Sequence, residues 1–298
     1  MAVYKKGKEA SMKKKFIKNS IQWLFIILLA IVLAIFLRVF IFDTYTIPTP
    51  SMEPAIVSGD HVVVHKFVPG PRIIKNFFAL GKGVKPDFER LGGWDVERNN
   101  VLIFNFPYSD WGRLDLDMNI FYAKRCIAIP GDTFYIENGF YKVKNVADTL
   151  GCYQNQQILS ERPKEEFSDE IFHCFPFDLR YNWNIKNFGP LYVPAKGDTM
   201  QIDTLNVVLY RNLIAYETQK PITVKDNTIL IGDSIIREYT FLKNYYFMAG
   251  DLVFDSEDSR YWGLLPEDHI AGKVAFVWNT KDAHTGKTHW DRFLKKIK

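Results

Sequence analysis

The sequence is poor in cysteine, in net charge beyond its first residues, and in long apolar runs after a single early one. Three cysteines occur in 298 residues, Cys126, Cys152 and Cys174. They allow at most one bridge, between Cys152 and Cys174, and buried free thiols are the other reading; spacing leaves both open. The formal charge of +4 is local. Seven lysines against Glu9 put +6 into residues 1–18 and leave −2 for the remainder, a local tag that does not suggest a nucleic-acid surface. No internal repeat and no strong long amphipathic helix pattern is present. His61 and His65 share a strand face in "HVVVH" without a third ligand, so no metal is expected. None of the six histidines lies in a context resembling a catalytic triad.

What is present begins with Trp23 to Leu37, uninterrupted apolar sequence that resumes after Arg38 with Val39 to Phe42. Residues 21–42 supply about the ~20 residues a bilayer crossing needs. Arg38 can snorkel to the headgroups. The lysines precede the span, which predicts a cytoplasmic N-terminus and sends residues 43–298 outside. A cleaved signal peptide has the same order of basic and apolar regions. This run is longer than the roughly 7–15 residues of such a region, and no small-x-small site follows it, so it reads as an uncleaved anchor.

Beyond residue 59 strand patterns dominate. "GDHVVVHKFV", "NNVLIFNFP", "FYAKRCIAIPGD", "GDLVFD" and "AGKVAFVW" are short β-branched and aromatic runs bounded by turn residues. "IENGFYKV" carries Asn138-Gly139, a two-residue hairpin signal. Residues 70–97 read as an irregular surface excursion. Residues 145–230 differ in texture, rich in Asn, Gln, Glu, Tyr and Phe, and read as a smaller unit inserted between two parts of the first. The fold class expected is mostly β and antiparallel.

Three stretches carry chemistry. In "TIPTPSMEP" the prolines Pro48, Pro50 and Pro54 fix φ and remove N–H groups, so the piece is no central strand. It suits an extended edge that holds Ser51 and pairs with an incoming peptide, or else a plain spacer. A serine needs a base within reach, and Ser-x-x-Lys is absent because Met52, Glu53 and Pro54 follow. "FYAKRCIAIPGD" places Tyr122, Lys124, Cys126 and Ala128 on one strand face, where an ammonium would be desolvated and its pKa lowered. Most strand lysines point to water instead. In "GDLVFDSEDSRYWG" Asp258 and Arg260 can pair, and Ser256 can orient a nearby amine; a well-bonded loop has the same composition.

In this order, behind an anchor, the three stretches resemble the type I signal peptidases. "PTPSMEP" is similar to that family's serine box, "KRCIAIPGD" (124–132) to its lysine box and "GDLVFDSEDSRYWG" (250–263) to its distal box. The resemblance is weakest over 70–97 and 145–245. It implies a Ser51 nucleophile and a Lys124 general base. It implies an oxyanion site from the Ser51 N–H and the Thr49 hydroxyl, Thr49 standing where some members have serine. Ser256 would hydrogen-bond the lysine, and Asp258 and Arg260 would form a supporting pair. Ile47, Pro48, Met52, Ile56, Tyr122 and Ala123 would line shallow pockets for small side chains. Two departures stand out: Leu252 where the family usually has Asn, and Cys126 where a small apolar residue is frequent.

The organisation expected is a cytoplasmic tail (1–20), an anchor (21–42), a catalytic core in two parts (43–144 and 231–298, the latter with the C-terminal tail), and an inserted β-rich domain (145–230). The resemblance implies a serine endopeptidase of a bacterial inner membrane that cuts signal peptides from preproteins at small-x-small sites. The partners would be those preproteins and the lipid bilayer, with no nucleic acid, metal or cofactor. A catalytically silent relative that binds export substrates is the alternative.

Overall fold

The computed structural model describes residues 2–76, 88–108, 112–281 and 285–297. Residues 77–87 of the expected surface excursion, and His284, lie outside them. Two compact units result, Met1–Asp43 and Thr44–Lys298. In the first, Ala2–Phe40 is one helix, and its stretch Phe16–Phe40 is exposed, apolar and long enough to cross a membrane. At 1.5 Å per residue these 25 residues span about 37 Å, more than the ~30 Å hydrocarbon layer. This stretch overlaps the expected anchor at 21–42 and begins at Phe16. Phe42 already opens a strand, Phe42–Thr46, whose sequence FDTYT favours an extended backbone.

In the second unit the strand patterns assemble into an eight-stranded sheet. Its order is Phe42–Thr46, Asp60–His65, Ile270–Thr280, Val101–Asn105, Phe121–Ala128, Tyr245–Ala249, Leu265–Pro266, with Lys295–Lys296 also pairing on Ile270–Thr280. The pairings from Asp60–His65 onward are antiparallel. The mostly β, antiparallel architecture with one N-terminal apolar helix is thus as the sequence implies.

The central strand Val101–Asn105 shows why the sheet has two apolar faces. VLIFN has no polar alternation, and all five residues are buried. Successive side chains point to opposite faces. Leu102 and Phe104 enter a large core, while Val101 and Ile103 enter a smaller one with Ile47, Met52, Ile56, Val62 and Val64. The next strand continues this alternation. Tyr122, Cys126 and Ala128 face the large core, and Ala123 packs on the small one.

The Asn138-Gly139 turn joins Thr133–Glu137 to Phe140–Val143, both turn residues having positive φ. Residues 145–230 are mixed rather than simply β-rich. They hold helices Tyr153–Glu161, Asp169–Phe172 and Val207–Thr218 as well as short strands such as Phe188–Tyr192 and Ile222–Lys225. Val207, Tyr210 and Ile214 are spaced three and four residues apart and bury one helical face. β-branched and aromatic residues hide that pattern in the composition. The buried side chains of the segment, Leu159, Phe172, Trp183 and Leu213 among them, join the same large core as the central strands.

Candidate active site

The Pro-rich segment leaves the sheet after Thr46 and returns to it at Asp60. Ile47 donates its N–H to Asp60 O (2.9 Å) and accepts from Gly59 N–H (2.8 Å), which closes the loop at its base. Ser58 Oγ donates to Pro48 O (2.8 Å). Inside, Glu53 N–H reaches Pro50 O (2.8 Å) and Ile56 N–H reaches Met52 O (3.0 Å), a tight turn beginning at the serine. Met52 and Ile56 are wholly buried in the small core and nail the turn down. Ser51, only 8% exposed, is held at its rim.

Lys124 arrives on the strand Phe121–Ala128, opposite Leu102 in the register. It is 4% exposed, and its Nζ donates to Ser51 Oγ at 2.6 Å. Burial pushes the Lys124 ammonium down to about 8. Asp258, Glu257 and Asp255 oppose that shift through space, and Arg260 adds to it. Tyr122 caps the amine, its ring centroid 5.6 Å from Nζ, and donates its hydroxyl to Glu257 Oε2 at 3.3 Å.

The distal loop backs this pair. Leu252 N–H donates to Ser51 O at 3.0 Å. The Leu252 position therefore serves the site through its backbone. A Cβ on Gly250 would sit 2.6 Å from Ser51 O and 2.2 Å from Ser256 Oγ, so only glycine lets the two loops approach this closely. Asp258 and Arg260 form a wholly buried, two-pronged pair, with Nε and Nη2 each 2.8 Å from a carboxylate oxygen. Asp258 Oδ2 also accepts from Gly250 N–H (2.9 Å), and Arg260 Nη1 donates to Val253 O (2.6 Å). Burial alone would raise the Asp258 carboxyl, but Arg260 beside it holds it below its ordinary value.

Ile47, Pro48, Thr49, Ser51, Tyr122, Ala123 and Lys124 line one cavity of about 460 Å³. Sequence reasoning missed Tyr45, Ile103, Phe121, Asp255 and Glu257, which line it too. Ile103 lies opposite Ala123 across the ladder, a register that only the folded sheet declares. Asp255 and Glu257 carried no signal beyond lying beside Ser256.

Two expectations need correction. Met52 and Ile56 lie beneath the cavity and do not line it, because their side chains fill the core that supports the serine turn. The expected bond from Ser256 to the lysine is not formed: Ser256 Oγ is buried without a hydrogen-bond partner. Thr49 Oγ1 stands 3.5 Å from Ser51 Oγ, the outer limit of hydrogen bonding. Cys126, Cys152 and Cys174 are free thiols. Among the described residues no group of three or more His, Cys, Asp or Glu is placed to hold a metal ion.

A serine hydroxyl hydrogen-bonded to an amine whose charged form burial disfavours, both lining one cavity, is the arrangement that an activated nucleophile requires. The chain belongs to the signal peptidase family: the model of "Signal peptidase, peptidase S26" matches residues 20–279. It is similar to signal peptidase I of Buchnera aphidicola subsp. Acyrthosiphon pisum, 28% identical over 278 residues, which cover 92% of this chain and 79% of that one. Signal peptidase I of Aquifex aeolicus is 26% identical over 273 residues, 88% of this chain and 84% of the relative. Signal peptidase I of Pseudomonas aeruginosa is 26% identical over 287 residues, 93% and 76%.

Proposed function

We propose that this chain is a membrane-anchored serine endopeptidase that removes N-terminal signal peptides from exported preproteins, with Ser51 as nucleophile and Lys124 as general base. The observation that carries the reading is the 2.6 Å contact between Lys124 Nζ and Ser51 Oγ, made by an amine that burial pushes down to about 8. At that value a useful fraction of the lysine is neutral near neutral pH and accepts the serine proton.

The chemistry follows from the geometry. The precursor lies along the Pro-rich edge, where Ile47, Pro48 and Ala123 leave room for small side chains. Lys124 takes the Ser51 proton as Oγ attacks the scissile carbonyl. The oxyanion is held by the Ser51 N–H and the Thr49 hydroxyl. Protonated Lys124 then delivers its proton to the departing amine. Water, activated by the same lysine, releases the acyl fragment. The Asp258–Arg260 pair holds the distal loop against the serine turn and so keeps water from recharging the amine.

The apolar helix supports a chain that spans a bilayer once. The basic N-terminal residues favour a cytoplasmic start, with Thr44–Lys298 on the outer face of a bacterial inner membrane. A signal peptide held in the bilayer presents its small-x-small site near that face.

The test is cleavage of a signal-peptide-bearing precursor in detergent by the wild type, Ser51→Ala and Lys124→Ala. Cutting after a small-x-small site by the wild type alone supports the reading. Equal cutting by all three, or binding without cutting by the wild type, sinks it and leaves a substrate-binding relative.

A further inference from the structure

The segment between Leu150 and Phe177 lies outside the three boxes, yet it packs on the distal loop. Phe175 N–H donates to Arg260 O (2.7 Å), and Tyr261 hydroxyl donates to Ile171 O (2.8 Å). The Arg162 guanidinium lies 4.3 Å from the Phe254 ring centroid. Helix Tyr153–Glu161 goes further and reaches the serine turn itself. Asn155, 9% exposed, donates through its side-chain amide to Glu53 O at 3.1 Å and to Asp251 O at 2.7 Å.

Those two carbonyls belong to different loops. Glu53 is two residues past Ser51, and Asp251 adjoins the glycine on which Ser51 O rests. A primary amide has two N–H donors in one rigid plane, so one side chain fixes the spacing of both acceptors. The same two loops touch directly where Leu252 N–H meets Ser51 O at 3.0 Å. We propose that Asn155 is a positioning residue for the reaction: its amide clamps the Ser51 turn to the distal loop and thereby sets the approach of Ser51 Oγ to Lys124 Nζ. This rests on the Ser51/Lys124 reading.

The neighbouring Gln156 supplies the control. It too is buried, but its Oε1 accepts from Tyr141 N–H (2.8 Å) and its Nε2 donates to Leu150 O (2.6 Å). It ties the same helix to the large core and touches neither active-site loop through those bonds.

The experiment uses the full chain in detergent and a precursor peptide with a small-x-small site. It compares wild type, Asn155→Ala, Asn155→Asp, Gln156→Ala and Ser51→Ala, reading kcat, KM, the pH profile and Tm. Asn155→Asp keeps the shape, replaces the donors with a carboxylate that repels both carbonyls, and is read for kcat alone. A serine turn loosened by a fraction of an ångström predicts a kcat lower by about 10- to 100-fold in both Asn155 variants, with KM within about threefold in Asn155→Ala, since this helix contributes nothing to the cavity wall.

Asn155→Ala also moves the acid limb of the profile to higher pH, because water reaches Lys124. The groups facing that amine are Ser51, Tyr122, Asp255, Glu257, Asp258 and Arg260, and the alanine changes none of them. Gln156→Ala leaves the limb in place. The proposal is overturned if Asn155→Ala keeps both kcat and limb, or if both alanine variants lose activity only in proportion to their loss of Tm. Should Asn155→Ala fail to fold, Asn155→Ser, which retains one donor, is judged by the same limb and kcat criteria. If Ser51→Ala cuts as fast as wild type, the failure belongs to the Ser51/Lys124 reading instead.

Discussion

Replacing Lys124 by methionine is expected to abolish cleavage and, at neutral pH, to make the protein more stable. The ammonium has an ordinary value of 10.5 and sits at about 8 in the folded chain, pushed there by burial. At about 1.4 kcal/mol per unit, the folded state therefore disfavours the charged form by on the order of 3 kcal/mol. The sign follows from proton binding: between about 8 and 10.5 the unfolded chain binds the proton and the folded chain does not, so stability rises with pH across that window. Below about 8 the whole penalty is present. Methionine keeps the apolar stem and removes the charge. It also forfeits the bond to Ser51, about 1 kcal/mol, which leaves a net gain of about 2 kcal/mol at pH 7. For a body of this size that is a rise in Tm of roughly 4–8 °C. Thermal melts of detergent-purified protein at about pH 7 and about pH 10.5, paired with precursor cleavage, read both effects. A Met variant less stable than wild type at pH 7, or one that still cleaves, would refute the idea that a desolvated amine drives the reaction.

The same lysine is expected to set the pH profile of cleavage. Activity per free enzyme should climb about tenfold per unit to a bend near 8 and level off above it, with about one-tenth of Lys124 neutral at pH 7. A flat profile, or a bend near an ordinary histidine value, would point to another base. Thr49→Val removes a hydroxyl and keeps the shape; loss of an oxyanion donor should lower kcat by about 10²–10³ with little change in KM, and an unchanged kcat excludes Thr49 from that role. Arg260→Met strands the Asp258 carboxylate with no exposed surface and should cost about 3–5 kcal/mol in denaturant unfolding. A loss under ~1 kcal/mol, the scale of a surface ion pair, would mean the pair is not the brace that the geometry indicates.

Much of the site was legible because it is written in local order. The apolar run, the prolines around Ser51 and the turn residues around Asp258 are adjacent in the chain, and their types restrict the backbone directly. Alternation in "FYAKRC" put Lys124 on the face of Tyr122 and Cys126, since strand periodicity is a local property. The Asn138-Gly139 turn was legible for the same reason. Helix Val207–Thr218 was not, because its apolar spacing is filled by residues that also favour strands.

What only the tertiary structure decided lies in contacts between distant segments. Met52 and Ile56 follow the serine and looked like cavity lining, yet the small core claimed them. Ser256 sits two residues from Asp258, yet its hydroxyl is left unpaired where a bond to the lysine was expected. Asn155 gave no signal at all, because an amide declares its partners only when the chain has folded around it. The residue types and their local spacing determined which groups are available and which way each strand turns them. Their meeting at 2.6 Å depended on sheet register and on a glycine close enough to touch the serine turn, and such long-range packing is not encoded in any short stretch.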